Sequence, residues 1–260
     1  MNQIEGEHHQ ARTPAELQQA HTPGAVLRRI SSAHDGSYLR DFVYGAIDGC
    51  VTTFAVVSGV MGAELSQRVI LILGLANLLA DGFSMAVSNY LGTKIELQRL
   101  LRARKIEERH IDNIPEGEQE EIRQIFQRKG FDGDLLERIV NVITGDRRLW
   151  VDTMLREEWG LSLNPSAPLK AAWVTFGAFF VVGFVPLIPY TILSVFLDDA
   201  VVQFSIACVI TLLTFFGIGT LKSRVVEVNW WKAGLETFLM GGIAAALSYL
   251  AGFLLNRLAA

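Results

Sequence analysis

The sequence predicts an all-α polytopic membrane protein with five transmembrane helices and a cytoplasmic helical insert between the second and third. Three observations carry this expectation. Half of the 260 residues are hydrophobic and the mean hydropathy is positive, at +0.31. Charge is dense from Lys94 to Glu158 and sparse in the apolar stretches on either side. Several apolar runs reach the roughly 20 residues that a helix needs to cross a hydrocarbon core of about 30 Å. A single soluble domain does not distribute its charge in this way.

Residues 1–37 are poor in apolar side chains and punctuated by Pro14, Pro23 and Gly24, so a mostly flexible tail is expected, with a short helix near 15–20. His8, His9, His21 and His34 are scattered along it and read as solvated rather than as a metal site. No secretory signal pattern opens the chain, so the first span is expected to drive insertion.

That first span covers about 42–62 and holds one charge, Asp48. Gly45 and Gly49 stand four apart, a small-residue pattern that lets another helix approach closely. Asp48 and Thr52 lie on an adjoining face at the same spacing. A short turn over 63–67 makes spans one and two an antiparallel hairpin, residues 38–90.

From Val69 to His110 the chain has no Pro and no Gly cluster. The membrane-length run VILILGLANLLADGFSMAVSNYL leads into the charged amphipathic run TKIELQRLLRARKIEERH, which predicts one helix that leaves the membrane and continues into water. Asn77, Asp81, Met85 and Asn89 recur every fourth residue along it and form a single stripe, with Ser84 and Ser88 beside them. A carboxylate at membrane depth costs roughly 2.5 to 3.5 kcal/mol on insertion scales, so it is normally turned toward protein, water or an ion. The stripe is therefore a candidate pathway.

Residues 91–169 read as a helical insert. Its first helix breaks at Asn113 and Pro115; a second starts at Pro115 and stops at Gly130. Asp132 and Asp146 are placed to cap a third and a fourth. Residues 170–260 supply spans three to five, at about 171–197, 200–221 and 233–255. Pro186 and Pro189 are expected to kink the third, and Glu236 and Met240 either extend the polar path or, for the glutamate, pair with a lysine. Basic residues Arg28, Arg29, Arg40, Lys222, Arg224 and Lys232 fall on the same side as the insert, so the N-terminus and insert are expected in the cytoplasm.

Cys50 and Cys208 sit in apolar runs without CxxC spacing, which argues against a zinc site or disulfide. The net charge of −4 averages a polar insert over lipid-facing helices and says little by itself; no nucleic-acid partner is expected. Asp48, Asp81 and Met85, with Thr52, Asn77 and Asn89, offer two anionic oxygens, neutral oxygens and one thioether. Hard cations want oxygen alone; a soft sulfur shifts preference toward Fe(II), Mn(II) or Co(II).

The segments DFVYGAIDGCVTTFAVVSGV and LANLLADGFSMAVSNYL resemble the vacuolar iron transporter family, which includes the yeast vacuolar and plant nodulin-like iron and manganese carriers. The resemblance covers about 40–258. It implies a five-span homodimer that exchanges divalent iron for protons, the first spans of both subunits lining the route. The metal is then a transported substrate, Fe2+ or Mn2+, and no permanent cofactor is expected. The family's transport aspartate and methionine fall on Asp48 and Met85. Its cytoplasmic metal-binding pattern falls on Glu107, His110, Glu118 and Glu121, then Met154, Leu155 and Glu158. His110 stands where the family has a glutamate, Leu155 where it has a methionine, and Asn77 where some relatives carry an acid that Asp81 replaces one turn on.

Residues three apart share a helix face, so Glu107 with His110, and Glu118 with Glu121, each form a two-ligand clamp that the break at Pro115 can fold together. A rival reading takes Glu107-x-x-His110 as half of a di-iron oxidase site in a membrane-anchored helical bundle. The membrane is expected to be the cell or bacterial inner membrane, or the vacuolar membrane in a eukaryote.

Overall fold

The computed structural model describes residues 13–31, 38–192, 194, 199–226 and 228–259, and every element among them is helical. His8, His9, His34 and Asp198 lie outside the described residues. Five helices are long and apolar enough to cross a membrane. The chain divides into two compact units: Met1–Asn89 with Lys170–Ala260, and Tyr90–Leu169.

In the first unit, α1 (Pro14–Ala20) opens with a capping box in which Thr13 and Glu16 bond each other's backbone N–H groups. A second helix, α2 (Pro23–Ser31), falls in a stretch expected to be mostly flexible. Pro23 sits at its first position, where a missing N–H costs nothing.

The spans are α3 (Leu39–Gly62), the membrane part of α4 (Gln67–Asn113), α8 (Pro168–Gly183), α10 (Ala200–Val226) and α11 (Trp230–Ala259). After α8 the chain tightens into a 3-10 turn at Val185–Leu187 and resumes as the one-turn α9 (Ile188–Thr191). Pro186 and Pro189 account for this break, since each removes a helical N–H donor.

Small residues bring these helices together. A Cβ on Gly45 would meet the Thr175 carbonyl oxygen at 2.4 Å, and one on Gly49 the Phe179 carbonyl at 2.3 Å, so α3 and α8 touch backbone to backbone. Gly62 and Gly252 do the same between α3 and α11. Gly49→Ala is expected to lower stability by about 1–3 kcal/mol, because the backbone of α8 cannot yield as a side-chain tip can; thermal melting in detergent reads it, and an unchanged midpoint contradicts the close packing. The outward faces carry Ile72, Leu79 and Phe83 on α4 and Leu239, Leu247 and Leu254 on α11, all exposed, as lipid contact requires.

α4 is one helix of 47 residues, about 70 Å long at 1.5 Å per residue. Its charged half enters the second unit, which is completed by α5 (Pro115–Arg128), α6 (Gly133–Thr144) and α7 (Arg147–Glu157). Asp146 caps α7 through Oδ1, which accepts from the Arg148 and Leu149 N–H groups at 2.9 and 3.1 Å. Asp132 occupies the corresponding position before α6 but makes no side-chain cap bond. One face of each helix closes a core of Leu100, Ile122, Val140, Trp150, Met154 and Leu155.

Candidate metal sites

The two sets of acids singled out in the sequence fall in different units. In the first unit, α3 carries Asp48 and Thr52, and α4 carries Asn77, Asp81, Met85 and Asn89. Thr52 Oγ1 donates to the Asp48 carbonyl at 2.8 Å and accepts from Asn77 Nδ2 at 3.3 Å, which ties the two helices together at that level. Asp48 and Asp81 are both exposed, and their charges are close enough to repel. Met85 is half-buried against the apolar cluster of Val57, Leu78 and Phe179.

Asn89 belongs to a different network. Its Nδ2 donates to Thr175 Oγ1 at 2.7 Å and to Asp41 Oδ1 at 3.1 Å. Asp41, 7 % exposed, was passed over in the sequence. Its spacing of seven from Asp48 puts both on one side of α3, a signal that could have found it. Glu236, left open between two roles, accepts from Lys222 Nζ at 3.2 Å, whereas Met240 is exposed.

In the second unit, Glu107 and His110 come from α4 and Glu118 from the first turn of α5. One potential ligand atom from each lies within 4.8 Å of the others. Among the described residues this is the one grouping of three or more His, Cys, Asp or Glu donors with such spacing. His110 Nδ1 is 3.1 Å from Glu118 Oε1. Glu107 and Glu118 are each 1 % exposed, and Oε2 of each is buried without a hydrogen-bond partner.

Glu121 and Glu158 are exposed yet near enough to act on Glu118 electrostatically. Met154 is buried in the apolar core with Leu155. One participant was not legible in the sequence: Trp159 Nε1 donates to Glu107 Oε1 at 2.8 Å, across 52 residues. The indole fixes one oxygen of Glu107 and leaves the other bare. Trp159→Phe is expected to weaken Mn(II) binding by about tenfold, as loss of a partner behind a metal ligand does; calorimetric titration of the full-length protein checks it, and unchanged affinity contradicts a positioning role.

Burial first, then repulsion from Glu107 and Glu121, push the Glu118 carboxyl up to about 8. Glu158, though its side chain reaches solvent, is also raised, by desolvation and then by Glu107 and Glu121, with His110 opposing. A carboxyl that binds its proton more tightly folded than unfolded adds stability below its ordinary range, and that stability is lost as pH climbs toward 8. Hydrogen exchange over residues 107–121 of the metal-free protein, corrected for intrinsic rates, is therefore expected to show less protection at pH 8 than at pH 5.5. Mn(II) restores it at pH 8; greater metal-free protection at pH 8 contradicts the crowding of these acids.

Two buried carboxylates side by side with an imidazole make a donor set for one cation of N/O preference, as first-row divalent metals have. The profile of the VIT family matches residues 39–253. The chain is 31 % identical over 215 residues to "Vacuolar iron transporter 1" of Arabidopsis thaliana, covering 82 % of this chain and 84 % of that one. It is 33 % identical over 225 residues to "Vacuolar iron transporter" of Toxoplasma gondii, covering 84 % and 74 %. The protein of that name from Plasmodium berghei is 30 % identical over 228 residues, covering 85 % and 84 %.

Proposed function

Because the chain belongs to the VIT family, we propose that it moves Fe2+ or Mn2+ out of the cytoplasm in exchange for protons, with the metal as substrate rather than resident cofactor. The observation that carries the reading is the pair of bare, buried carboxylate oxygens on Glu107 and Glu118. An unpaired buried charge is strongly destabilising, and two like charges more so, unless a proton or a cation is shared between them. In this reading the insert takes up the metal through Glu107, His110 and Glu118, and Glu121, Glu158 and Met154 modulate that step. Asp48 and Asp81, with Thr52, Asn77 and Met85, then pass it across the bilayer, and Asn89, expected at the mouth of the path, offers its Oδ1 to the metal while its Nδ2 is held by Asp41 and Thr175. Protonation of Asp48 or Asp81 from the far side cancels the charge that holds the metal and releases it, so the two flows are coupled.

The exposed position of Asp48 and Asp81 on the protomer supports a homodimer, because a carboxylate pair facing lipid is untenable and a second copy can cover it. The distribution of Arg28, Arg40, Lys222 and Lys232 supports a cytoplasmic insert. The oxidase reading requires donors for a second metal, and the described residues group donors for one. The test is Fe(II) flux in proteoliposomes. Uptake that follows an imposed pH gradient supports exchange; flux indifferent to the gradient points to a passive channel instead.

A further inference from the structure

The membrane unit holds a second set of polar groups, made of hydroxyls rather than acids. Thr53, Ser58, Tyr190 and Thr211 are 0, 1, 2 and 0 % exposed, and the hydroxyl oxygen of each is buried without a partner. This is not how hydroxyls behave elsewhere in the same spans. Thr52, Thr175, Thr214 and Thr237 each donate to the carbonyl one turn back, at 2.7 to 3.0 Å. Three of these orphans, Thr53, Tyr190 and Thr211, instead fall on one seam. Val57, Tyr190 and Ala207 pack in a single cluster. Thr53 lies one turn before Val57 on the same face of α3, and Thr211 lies one turn beyond Ala207 on the same face of α10, whereas Ser58, five residues after Thr53, turns to another side of α3.

Each end of this seam has a defined neighbour. Gln203, fully buried one turn before Ala207, lies in the first turn of α10, where its N–H bonds the Asp199 carbonyl at 3.0 Å next to the loop. At the other end Thr53 adjoins Thr52, whose hydroxyl bonds the Asp48 carbonyl. From Gln203 to Thr211 the helix rises about 12 Å, so the seam reaches from a loop well into the span. Buried hydroxyls that find no protein partner are the usual seats of ordered water, and a helix kinked by proline leaves further backbone groups for water to bond.

We propose that Thr53, Tyr190 and Thr211 line a file of ordered water between α3, α9 and α10, through which protons reach the turn of Asp48 apart from the metal path. The water is inferred from the orphaned hydroxyls; its proton-carrying role rests on the exchange reading above. Hydroxyls and water relay protons by exchanging hydrogen bonds, whereas a dication needs anionic ligands that this seam does not offer.

The test uses the full-length protein in nanodiscs and proteoliposomes, with Thr53→Val/Thr211→Val as the variant. Valine keeps the shape and removes the hydroxyl. X-ray hydroxyl-radical labelling modifies side chains that touch bound water even where bulk solvent is excluded. Tyr190 is expected to be labelled far more than Phe179, which is as well buried, and to lose that labelling in the variant. Tyr190 as silent as Phe179 overturns the water file. In a dry core, valine removes an unsatisfied group and raises the melting temperature; in a watered one it lowers it, and a rise also overturns the proposal. Accumulation of Mn(II) driven by a pH gradient is expected to fall about tenfold with equilibrium Mn(II) binding unchanged. Labelling as expected with unchanged accumulation overturns the proton role and leaves the water. A wild-type protein indifferent to the gradient overturns the exchange reading instead, and the labelling of Tyr190 still decides the water.

Discussion

Asp48→Asn protein in liposomes is expected to show no gradient-driven Fe(II) uptake above protein-free vesicles, while binding metal in its insert as the unaltered protein does. Asparagine keeps the size and one oxygen of aspartate and removes the charge. A dication that sheds water inside a bilayer needs anionic oxygens, because neutral dipoles alone do not offset the desolvation of two charges. Asp81 is the next acid, and its charge acts on Asp48. With Asp48 neutral, one carboxylate remains to hold the metal and the proton-for-metal exchange at this position is lost. Transport by Asp48→Asn at the wild-type rate refutes the role assigned here. Loss of transport together with loss of metal binding in the insert would point to general misfolding.

Glu107→Gln and Glu118→Gln are expected to produce two effects of opposite sign. Removing either charge relieves the repulsion between two carboxylates that are each 1 % exposed, so the metal-free protein gains stability. Mn(II) affinity falls by about a hundredfold or more, since losing a ligand costs at least as much as losing a residue behind one. Titration calorimetry with melting in the presence and absence of Mn(II) reads both. The metal-induced rise in melting temperature disappears even as the metal-free midpoint increases. A metal-free protein made less stable by Gln would indicate that these acids serve the fold rather than a ligand.

The spans were readable because bilayer thickness fixes a length and apolar runs either meet it or do not. The 47-residue α4 was readable for the complementary reason that nothing between Tyr90 and Asp112 stops a helix. Pro186 and Pro189 announced the break after α8 through their missing N–H groups. The helix at Pro23–Ser31 went unread because Pro23-Gly24 looks like punctuation, while proline also suits a helix start.

Within the candidate sites, helical spacing was enough to place Glu107 with His110, and the Pro115 break was enough to suggest that Glu118 meets them. Sequence spacing could not supply partners set by packing between distant segments. Trp159 reaches Glu107 across 52 residues, and Asn89 reaches Asp41 across 48. Nor could it tell Thr52, which bonds its own helix, from Thr53, which does not.

In the proposed cycle two separate groups of acids hold the transported dication. Anomalous scattering from crystals of the full-length protein soaked in Mn(II) tests it most directly. One peak is expected within bonding distance of Glu107, His110 and Glu118, and a second at Asp48. Manganese bound elsewhere, with both places vacant at saturating metal, would contradict it.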